Sequence, residues 1–335
     1  MDIDLSFIWA VVILFAIMMY VVMDGFDLGI GILYPFFPHD EERDVMMNTV
    51  APIWDGNETW LVLGGTGLLA AFPLAYAVLL SAFYLPLIFM LMGLIFRGVA
   101  FEVRFKAHAH ERHLWDKAFI GGSIAATFFQ GVVLGAFVQG VAIDDRVYAG
   151  GALDWISPFS LFTGLSLVVA YALLGSTWLI MKTEGALQER AYAITRHLLW
   201  ALLATIVVVS IWTPLSDPNI AQRWFSYPNI LWVSPVPLLV ALCAFLLLRA
   251  VTRQAQVMPF LFTLALVFLS YAGFGISLWP NIVPPDITIW AAASPPQSQG
   301  FTLVGALFII PLILGYTIWA YYVFRGKVKQ GEGYH

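Results

Sequence analysis

The sequence predicts an all-α polytopic membrane protein with nine transmembrane helices. Hydrophobic residues make up 61% of the 335-residue chain and charged residues only 11%, and the mean hydropathy is +0.84. Apolar runs recur along the whole length, and about 20 helical residues suffice to cross roughly 30 Å of hydrocarbon. The predicted spans are 7–34, 58–73, 76–97, 118–140, 159–181, 198–213, 230–248, 258–279 and 301–324. An odd number of spans places the two termini on opposite sides.

The basic residues predict the orientation of these spans. The chain has 16 Lys and Arg. If the N-terminus is outside, all of them except Arg146 and Arg223 fall in cytoplasmic loops or the cytoplasmic tail, which is the bias of short loops in membrane proteins. The acidic start of the chain lacks the positive region and cleavage site of a signal peptide, so we expect the first span to be retained. The N-terminus is therefore predicted to be periplasmic and the C-terminus cytoplasmic.

The first span carries two acids within apolar sequence. Asp24 and Asp27 are three residues apart, so a helix places them on nearly one face, and Gly25 and Gly29 form a pair of small residues that lets a second helix approach closely. A carboxylate facing lipid is costly, which favours a protein interior or a polar cavity. Such a pair suits a proton relay. Alternatively, it marks the cytoplasmic membrane surface.

The second span begins with a polar decapeptide, residues 51–60. Pro52 is tolerated in the first turn of a helix and places the helix start nearby. Asp55 and Glu58 repeat the three-residue spacing, and Asn57 is a hydrogen-bonding companion. Because both acid pairs enter from the same side, four carboxylates gathered there are predicted to collect protons. The alternative gives Asp55 a capping role and Trp54 an interfacial one.

The third span ends in a basic face. Arg97, Phe101 and Arg104 follow the i, i+4, i+7 spacing of one helical face. This face brings guanidinium groups toward the acids of the first two spans or toward an anionic partner. The alternative is that the arginines extend to lipid headgroups. The sequence leaves the partner open.

The following loop contains His108, His110 and His113, whose spacing is that of a metal site. No thiolate or carboxylate cage accompanies them, so we predict no metal there. No histidine occupies the middle of an apolar span, so the usual buried imidazole ligand for haem is missing, although methionine remains a ligand by type.

The remaining spans enclose no soluble module. The longest connections, 98–117 and 280–300, are each about twenty residues, so residues 1–335 are predicted to form a single integral membrane domain. The net charge of −5 argues against nucleic acid. Cys243 is the lone cysteine, which excludes a disulfide framework or thiolate cluster. Any chemistry is therefore membrane chemistry.

Two function classes remain from the residues alone. One is a subunit of a redox complex that supplies a proton path and a scaffold. The other is a stand-alone proton-coupled transporter, whose intramembrane acids bind the coupling protons. Haem absorbance that co-purifies with a second chain would favour the first, and transport by this chain alone in liposomes would favour the second.

Three motifs occur in order across the first three spans. They are Asp24-Gly25-Phe26-Asp27-Leu28-Gly29, Trp54-Asp55-Gly56-Asn57-Glu58-Thr59-Trp60 and Phe96-Arg97-Gly98-Val99-Ala100-Phe101-Glu102. Together they resemble subunit II of the cytochrome bd-type terminal quinol oxidases, and the length and nine-span plan fit that family throughout. Within it, the chain is most similar to the branch called cyanide-insensitive oxidases.

The resemblance implies a heterodimer in the bacterial inner membrane. Its subunit I would bind haem b and haem d, oxidise ubiquinol near the periplasmic face and reduce dioxygen to water in an electrogenic, non-pumping reaction. The present chain would share the plan of two four-helix bundles plus one peripheral helix without binding haem itself. A small accessory subunit, membrane lipids and a structural quinone are further components that the resemblance allows, and the sequence places none of them.

The resemblance also implies roles for residues of this chain. It assigns no catalytic residue here and matches Asp24, Asp27 and Asp55 to positions implicated in proton entry along the subunit interface. With Glu58 from the second acid pair, the predicted proton path is Asp24, Asp27, Asp55 and Glu58. The supporting residues are Trp54, Asn57 and Arg97.

Overall fold

Helices dominate the computed structural model, which describes residues 4–108, 110–329 and 331. The helices of this part of the chain are α1 Leu5–Leu33, α2 Asp40–Asn48, α3 Trp54–Ala71, α4 Pro73–Arg104, α5 Arg112–Gln139, α6 Pro158–Lys182, α7 Gly185–Ser216, α8 Pro218–Phe225, α9 Asn229–Val233, α10 Pro235–Thr252, α11 Met258–Leu278, α12 Ile289–Ala292 and α13 Pro296–Val323. A 3-10 turn, Tyr34–Phe36, follows α1. Two short antiparallel hairpins pair β1 Ile143–Asp144 with β2 Val147–Tyr148, and β3 Asn281–Val283 with β4 Ile287–Thr288. The predicted all-α class is confirmed.

Eight of the described helical segments are long and apolar enough to cross a membrane. They are α1 with its following turn, α4, α5, α6, α7, α9 with α10, α11 and α13. The predicted second span, 58–73, corresponds to α3, which has 18 residues. Its hydropathy is lower because its first turns carry Asp55, Asn57 and Glu58. A multi-pass membrane protein is confirmed, whereas composition does not confirm the predicted count of nine.

Two helices extend well beyond the predicted spans. α4 continues past 76–97 to Arg104, and α7 begins at Gly185, ahead of the predicted 198–213. Hydropathy marks the apolar stretch of a helix, whereas backbone hydrogen bonding continues into its polar flank. α4 is kinked at Phe83, and its extension keeps Arg97 and Arg104 in the same helical segment after the kink.

α1 is a central helix that packs against α3, α5 and α6. A Cβ atom on Gly29 would lie 2.0 Å from the carbonyl oxygen of Tyr171, so glycine is required where α1 meets the α6 backbone. At Gly25 the nearest atoms to a Cβ belong to the side chains of Leu174 and Tyr171, at 3.0 Å and 3.1 Å, rather than to backbone. The predicted close approach therefore occurs at the second glycine of the pair.

The start of α1 and the end of α3 lie on one side of the protein. Asp4 caps α1 by accepting a hydrogen bond from the backbone N–H of Phe7, and it also accepts one from Trp290 Nε1 at 2.8 Å. Both hydrogen bonds lower the pKa of Asp4, and the bond from Trp290 has the larger effect. Ser294, four residues after Trp290, donates its backbone N–H to the carbonyl of Ala71 at 2.8 Å. The loop 279–295 thus joins the two helix ends.

The C-terminal segment lies at the opposite end of these helices. The amine of Lys182, at the end of α6, donates to the carbonyl oxygens of Phe324 and Gly326, the latter at 2.9 Å. Val328 donates its backbone N–H to the carbonyl of Lys182 at 2.9 Å. The segment after α13 is therefore fixed against the turn between α6 and α7.

Candidate functional site: a buried acid cluster

Two carboxylates of α1 lie in the protein interior. Asp24 and Asp27 occupy the second half of the helix, and both residues are fully buried. Their burial among α3, α4 and α6 favours a protein interior over the membrane surface as their environment.

One guanidinium group contacts two of the acids. Arg97 on α4 is fully buried, and its Nη1 lies 2.8 Å from Asp24 Oδ1. Its Nη2 forms an ion pair with Oε1 of Glu58 on α3. The sequence left the partner of Arg97 open, and the structure places it on the acids of α1 and α3. We call Asp24, Asp27, Glu58 and Arg97 the acid cluster.

Two aromatic rings cover the guanidinium of Arg97. Its Cζ lies 5.6 Å from the ring centre of Trp54 and 5.9 Å from that of Phe101. The two rings are themselves stacked, with centroids 5.1 Å apart. Contact with the ring faces attracts the cation and keeps water from it. Trp54, predicted as a supporting residue, therefore contacts the cation of the cluster.

Asn57 connects α3 to the second acid of α1. Its Nδ2 donates to Asp27 Oδ2 at 2.7 Å, and its Oδ1 accepts a hydrogen bond from the hydroxyl of Tyr321 at 3.0 Å. The other carboxylate oxygen of Asp27 has no hydrogen-bond partner among the described residues.

The two acids of α3 differ in environment. The side chain of Glu58 is 27% exposed while it holds Arg97, so it joins the interior to the surface. Asp55, one turn earlier, is exposed. The structure thus brings together three of the four predicted path residues and places Asp55 outside the acid cluster, near its mouth.

The charges of the acid cluster do not balance when every group is ionised. Three carboxylates gather around one guanidinium, which leaves two negative charges uncompensated in a largely buried site. Buried charge without a partner is costly, so we expect the cluster to retain a bound proton. A site that holds and releases a proton is the chemistry that this arrangement supports.

A series of neutral polar groups lies deeper along α1, and sequence reasoning missed it. Tyr20 is one helical turn from Asp24, and its hydroxyl accepts a hydrogen bond from Gln130 Nε2 at 2.6 Å. The Gln130 Oε1 accepts one from the hydroxyl of Tyr171 at 3.0 Å. The i, i+4 spacing of Tyr20 and Asp24 was a signal that could have suggested the proximity.

A second ionic network, also missed from sequence, lies at the end of α4. Arg104 is fully buried; its Nε lies 2.5 Å from Asp116 Oδ1, and its Nη1 pairs with Asp44. Arg43 Nη1 lies 2.9 Å from the other oxygen of Asp116. These pairs join α2, α4 and α5. In the sequence, Asp44 and Asp116 have the pattern of surface residues, because neither lies within an apolar run.

The histidines predicted to bind no metal lie near this network. His108, His110 and His113 are exposed, and the rings of His108 and His110 are stacked with centroids 5.8 Å apart. Within the described ranges, no group of three His, Cys, Asp or Glu side chains is arranged to hold a metal ion.

Comparison with known proteins gives consistent results over nearly the whole chain. The family model for cytochrome bd terminal oxidase subunit II matches residues 5–324. Cytochrome bd ubiquinol oxidase subunit 2 of Bacillus subtilis (strain 168) is 29% identical over 334 residues, covering 97% of each chain. Cytochrome bd-I ubiquinol oxidase subunit 2 of Escherichia coli (strain K12) is 30% identical over 369 residues, covering 98% of this chain and 96% of the relative.

A solved structure shows the same fold. The structure of bd oxidase from Geobacillus thermodenitrificans superposes with a TM-score of 0.79 at 17% identity, covering 96% of this chain and 99% of the matched chain. At this identity the likeness supports the fold alone.

Proposed function

The chain belongs to the family of cytochrome bd terminal oxidase subunit II, and we propose that its acid cluster carries protons from the cytoplasm toward a haem-bearing partner subunit. Family membership confirms the resemblance found in the three sequence motifs. It also decides between the two function classes in favour of a subunit of a quinol oxidase complex. The burial of Asp24 and Asp27 around Arg97 is the observation that carries the proton-path proposal.

The haems of the complex are proposed to lie in subunit I. A buried haem in this chain would need an interior axial ligand, most often histidine. All five histidines within the described ranges, His39, His108, His110, His113 and His197, are exposed, so they do not fit that role. The exposure of these histidines supports the proposal that haem b and haem d lie in the partner. Ubiquinol is proposed as the reductant because both relatives named above are ubiquinol oxidase subunits.

The proposed path runs from the exposed acid to the buried pair. Asp55 attracts protons at the surface, and Glu58 receives them one turn further in. A proton on Glu58 weakens its attraction to Arg97, so the guanidinium shifts toward Asp24. Loss of that proton to the interior acids restores the Arg97–Glu58 pair and readies Glu58 for the next proton. Arg97 thereby limits the charge in the cluster at each stage.

The path gives the complex a way to conserve energy without pumping. Reduction of dioxygen to water consumes protons, and oxidation of quinol releases them. With uptake through this chain from the cytoplasm and release near the periplasmic face, turnover separates charge across the membrane. We propose the bacterial inner membrane as the compartment of this complex.

We propose that α3 also spans the membrane, which brings the number of membrane-spanning helices to nine. At ~1.5 Å per residue its 18 residues span about 27 Å. Its end contacts the loop that holds Asp4, and its start lies beside Tyr321, close to the C-terminal segment. These contacts support nine crossings, a periplasmic N-terminus and a cytoplasmic C-terminus. The plan of two four-helix bundles plus a peripheral helix is proposed with it.

Other components of the complex stay predictions. They are the heterodimeric pairing with subunit I, a small accessory subunit, bound membrane lipids and a structural quinone. The finer assignment to the cyanide-insensitive branch is likewise a prediction.

Substitution of the exposed acid tests the proposed function. In the gently purified complex, whose subunit content and optical spectrum are recorded first, Asp55→Asn should slow oxygen consumption while the haem content per complex stays unchanged. Glu102→Gln is the matched control, because Glu102 is an exposed acid on α4 that pairs with exposed Lys106. Loss of haem with unchanged turnover per remaining haem would indicate an assembly role and contradict the proposal.

A further inference from the structure

The last helix contacts the acid cluster at one point near its inner end. α13 is the most weakly packed of the long helices: in its described length only Gln299, Ala306 and Thr317 are buried. Near the end of this helix, Tyr321 is half-buried and its ring lies 6.3 Å from that of Trp178 on α6, in an edge-on arrangement. The hydroxyl of Tyr321 is therefore held in a defined position.

Two hydrogen bonds connect this hydroxyl to Asp27. Tyr321 donates to Asn57 Oδ1 at 3.0 Å, and Asn57 Nδ2 donates to Asp27 Oδ2 at 2.7 Å. An amide has a donor end and an acceptor end. Because Tyr321 binds the acceptor end, the donor end faces the carboxylate. The donor end also lies 3.4 Å from the carbonyl oxygen of Met23, so a residue of α13 holds one end of the Asn57 amide and groups of α1 hold the other.

A small cavity lies beside these bonds, between α3 and α13. Its volume is about 10 Å³, and its walls include Gly56, Asn57, Tyr316, Thr317 and Tyr321. A Cβ on Gly56 would lie 3.2 Å from the ring of Tyr316, so glycine leaves this space open. Ile53 and Ala320 complete the walls, and the volume is at the lower limit for a single water molecule. A water there can compete for the amide of Asn57 if the tyrosine hydroxyl is absent.

We infer that Tyr321 is a positioning residue for Asp27 and acts through Asn57. By holding the amide oxygen, it keeps the Asn57 NH2 group on Asp27. The inference rests on the proposed role of Asp27 in proton transfer. The other charged groups near Asp27 are Asp24 on α1, Glu58 on α3 and Arg97 on α4, and substitution of Tyr321 leaves all of them in place.

The test compares Tyr321→Phe with Asp27→Asn in the complete oxidase complex. Infrared difference spectra between protonation states should contain a carboxyl C=O band that Asp27→Asn removes. In Tyr321→Phe this band should remain but shift, because one hydrogen bond to its carboxyl is no longer fixed. Proton uptake should slow by about two- to tenfold, the effect of one side-chain hydrogen bond.

Tyr322→Phe is the matched control. Tyr322 neighbours Tyr321 and is 57% exposed. Its ring and its backbone carbonyl contact Arg325, and phenylalanine keeps both contacts. Its band position and uptake rate should equal those of the unmodified complex. If Tyr321→Phe also matches the unmodified complex while Asp27→Asn has its effect, the inference is wrong and the proposed function stands. If Asp27→Asn itself changes neither readout, both fail.

Discussion

Replacement of Arg97 by glutamine tests the electrostatics of the acid cluster most sharply. Arg97 and Asp24 are both fully buried, with 2.8 Å between Nη1 and Oδ1. With charge centres roughly 4 Å apart and an effective dielectric constant of about 20, their attraction is about 4 kcal/mol. Removal of one partner of a buried pair costs about 3–5 kcal/mol. We therefore expect Arg97→Gln to lower the free energy of unfolding by a similar amount.

The second substitution Asp24→Asn should restore part of this loss. In the double variant two neutral amides replace the Arg97–Asp24 pair, so Asp24 no longer adds a buried negative charge, although Asp27 and Glu58 still lack the guanidinium. We expect a recovery of about 2 kcal/mol or more relative to Arg97→Gln alone, since coupled neighbours depart from additivity by up to about 3 kcal/mol.

The assay is unfolding of the purified holocomplex in mixed micelles with increasing dodecyl sulfate, followed by tryptophan fluorescence. The control is Lys106→Gln, because Lys106 pairs with Glu102 at 3.4 Å while both side chains are exposed, and no measurable change is expected. A loss below about 1 kcal/mol in Arg97→Gln, the range of exposed ion pairs, would refute the reasoning. So would a double variant no more stable than Arg97→Gln.

The same titration checks two further predictions. Gly29→Ala places a Cβ 2.0 Å from the carbonyl oxygen of Tyr171, so α1 and α6 must separate, at a cost of about 1–3 kcal/mol or more. Gly65→Ala, which faces open space, should leave stability unchanged, and equal behaviour of the two would contradict the packing. Arg104→Gln should lower the free energy of unfolding less than Arg97→Gln does, because Asp116 keeps its pair with Arg43 at 2.9 Å. A larger loss would show that the Arg104 network contributes more to stability than the acid cluster.

Much of the fold could be predicted from the sequence, because the hydropathy of a segment and the charge of a loop depend only on residues that are close together in the chain. Apolar runs located the eight described helical segments that are long and apolar enough to cross a membrane. The predicted span 58–73 also corresponds to a helix, α3, whose apolar pattern is diluted by exposed Asp55 and by Glu58, which pairs with Arg97. Helix ends were less predictable, since the extension of α4 to Arg104 depends on partners brought from α2 and α5.

The residues of the acid cluster could be predicted from the sequence, but the contacts between them could not. The spacing of Asp24 and Asp27 indicated a shared face, and the burial of both agrees with that interpretation. The partner of Arg97 was not determined, because an arginine near a helix end is satisfied equally by headgroups, acids or another chain. Tyr321 lies far from Asp27 in sequence, so no local pattern indicates that its hydroxyl holds Asn57.

Proton uptake during a single reaction with oxygen tests the central claim most directly. The fully reduced complex, oriented in vesicles with a pH-sensitive dye on the cytoplasmic side, is mixed with oxygen, and proton uptake is timed beside haem oxidation. We predict uptake from that side in the unmodified complex and uptake slowed at least several-fold in Asp24→Asn, with haem content unchanged. Uptake at the unmodified rate in Asp24→Asn, or uptake from the opposite side, would contradict a proton path through these buried carboxylates.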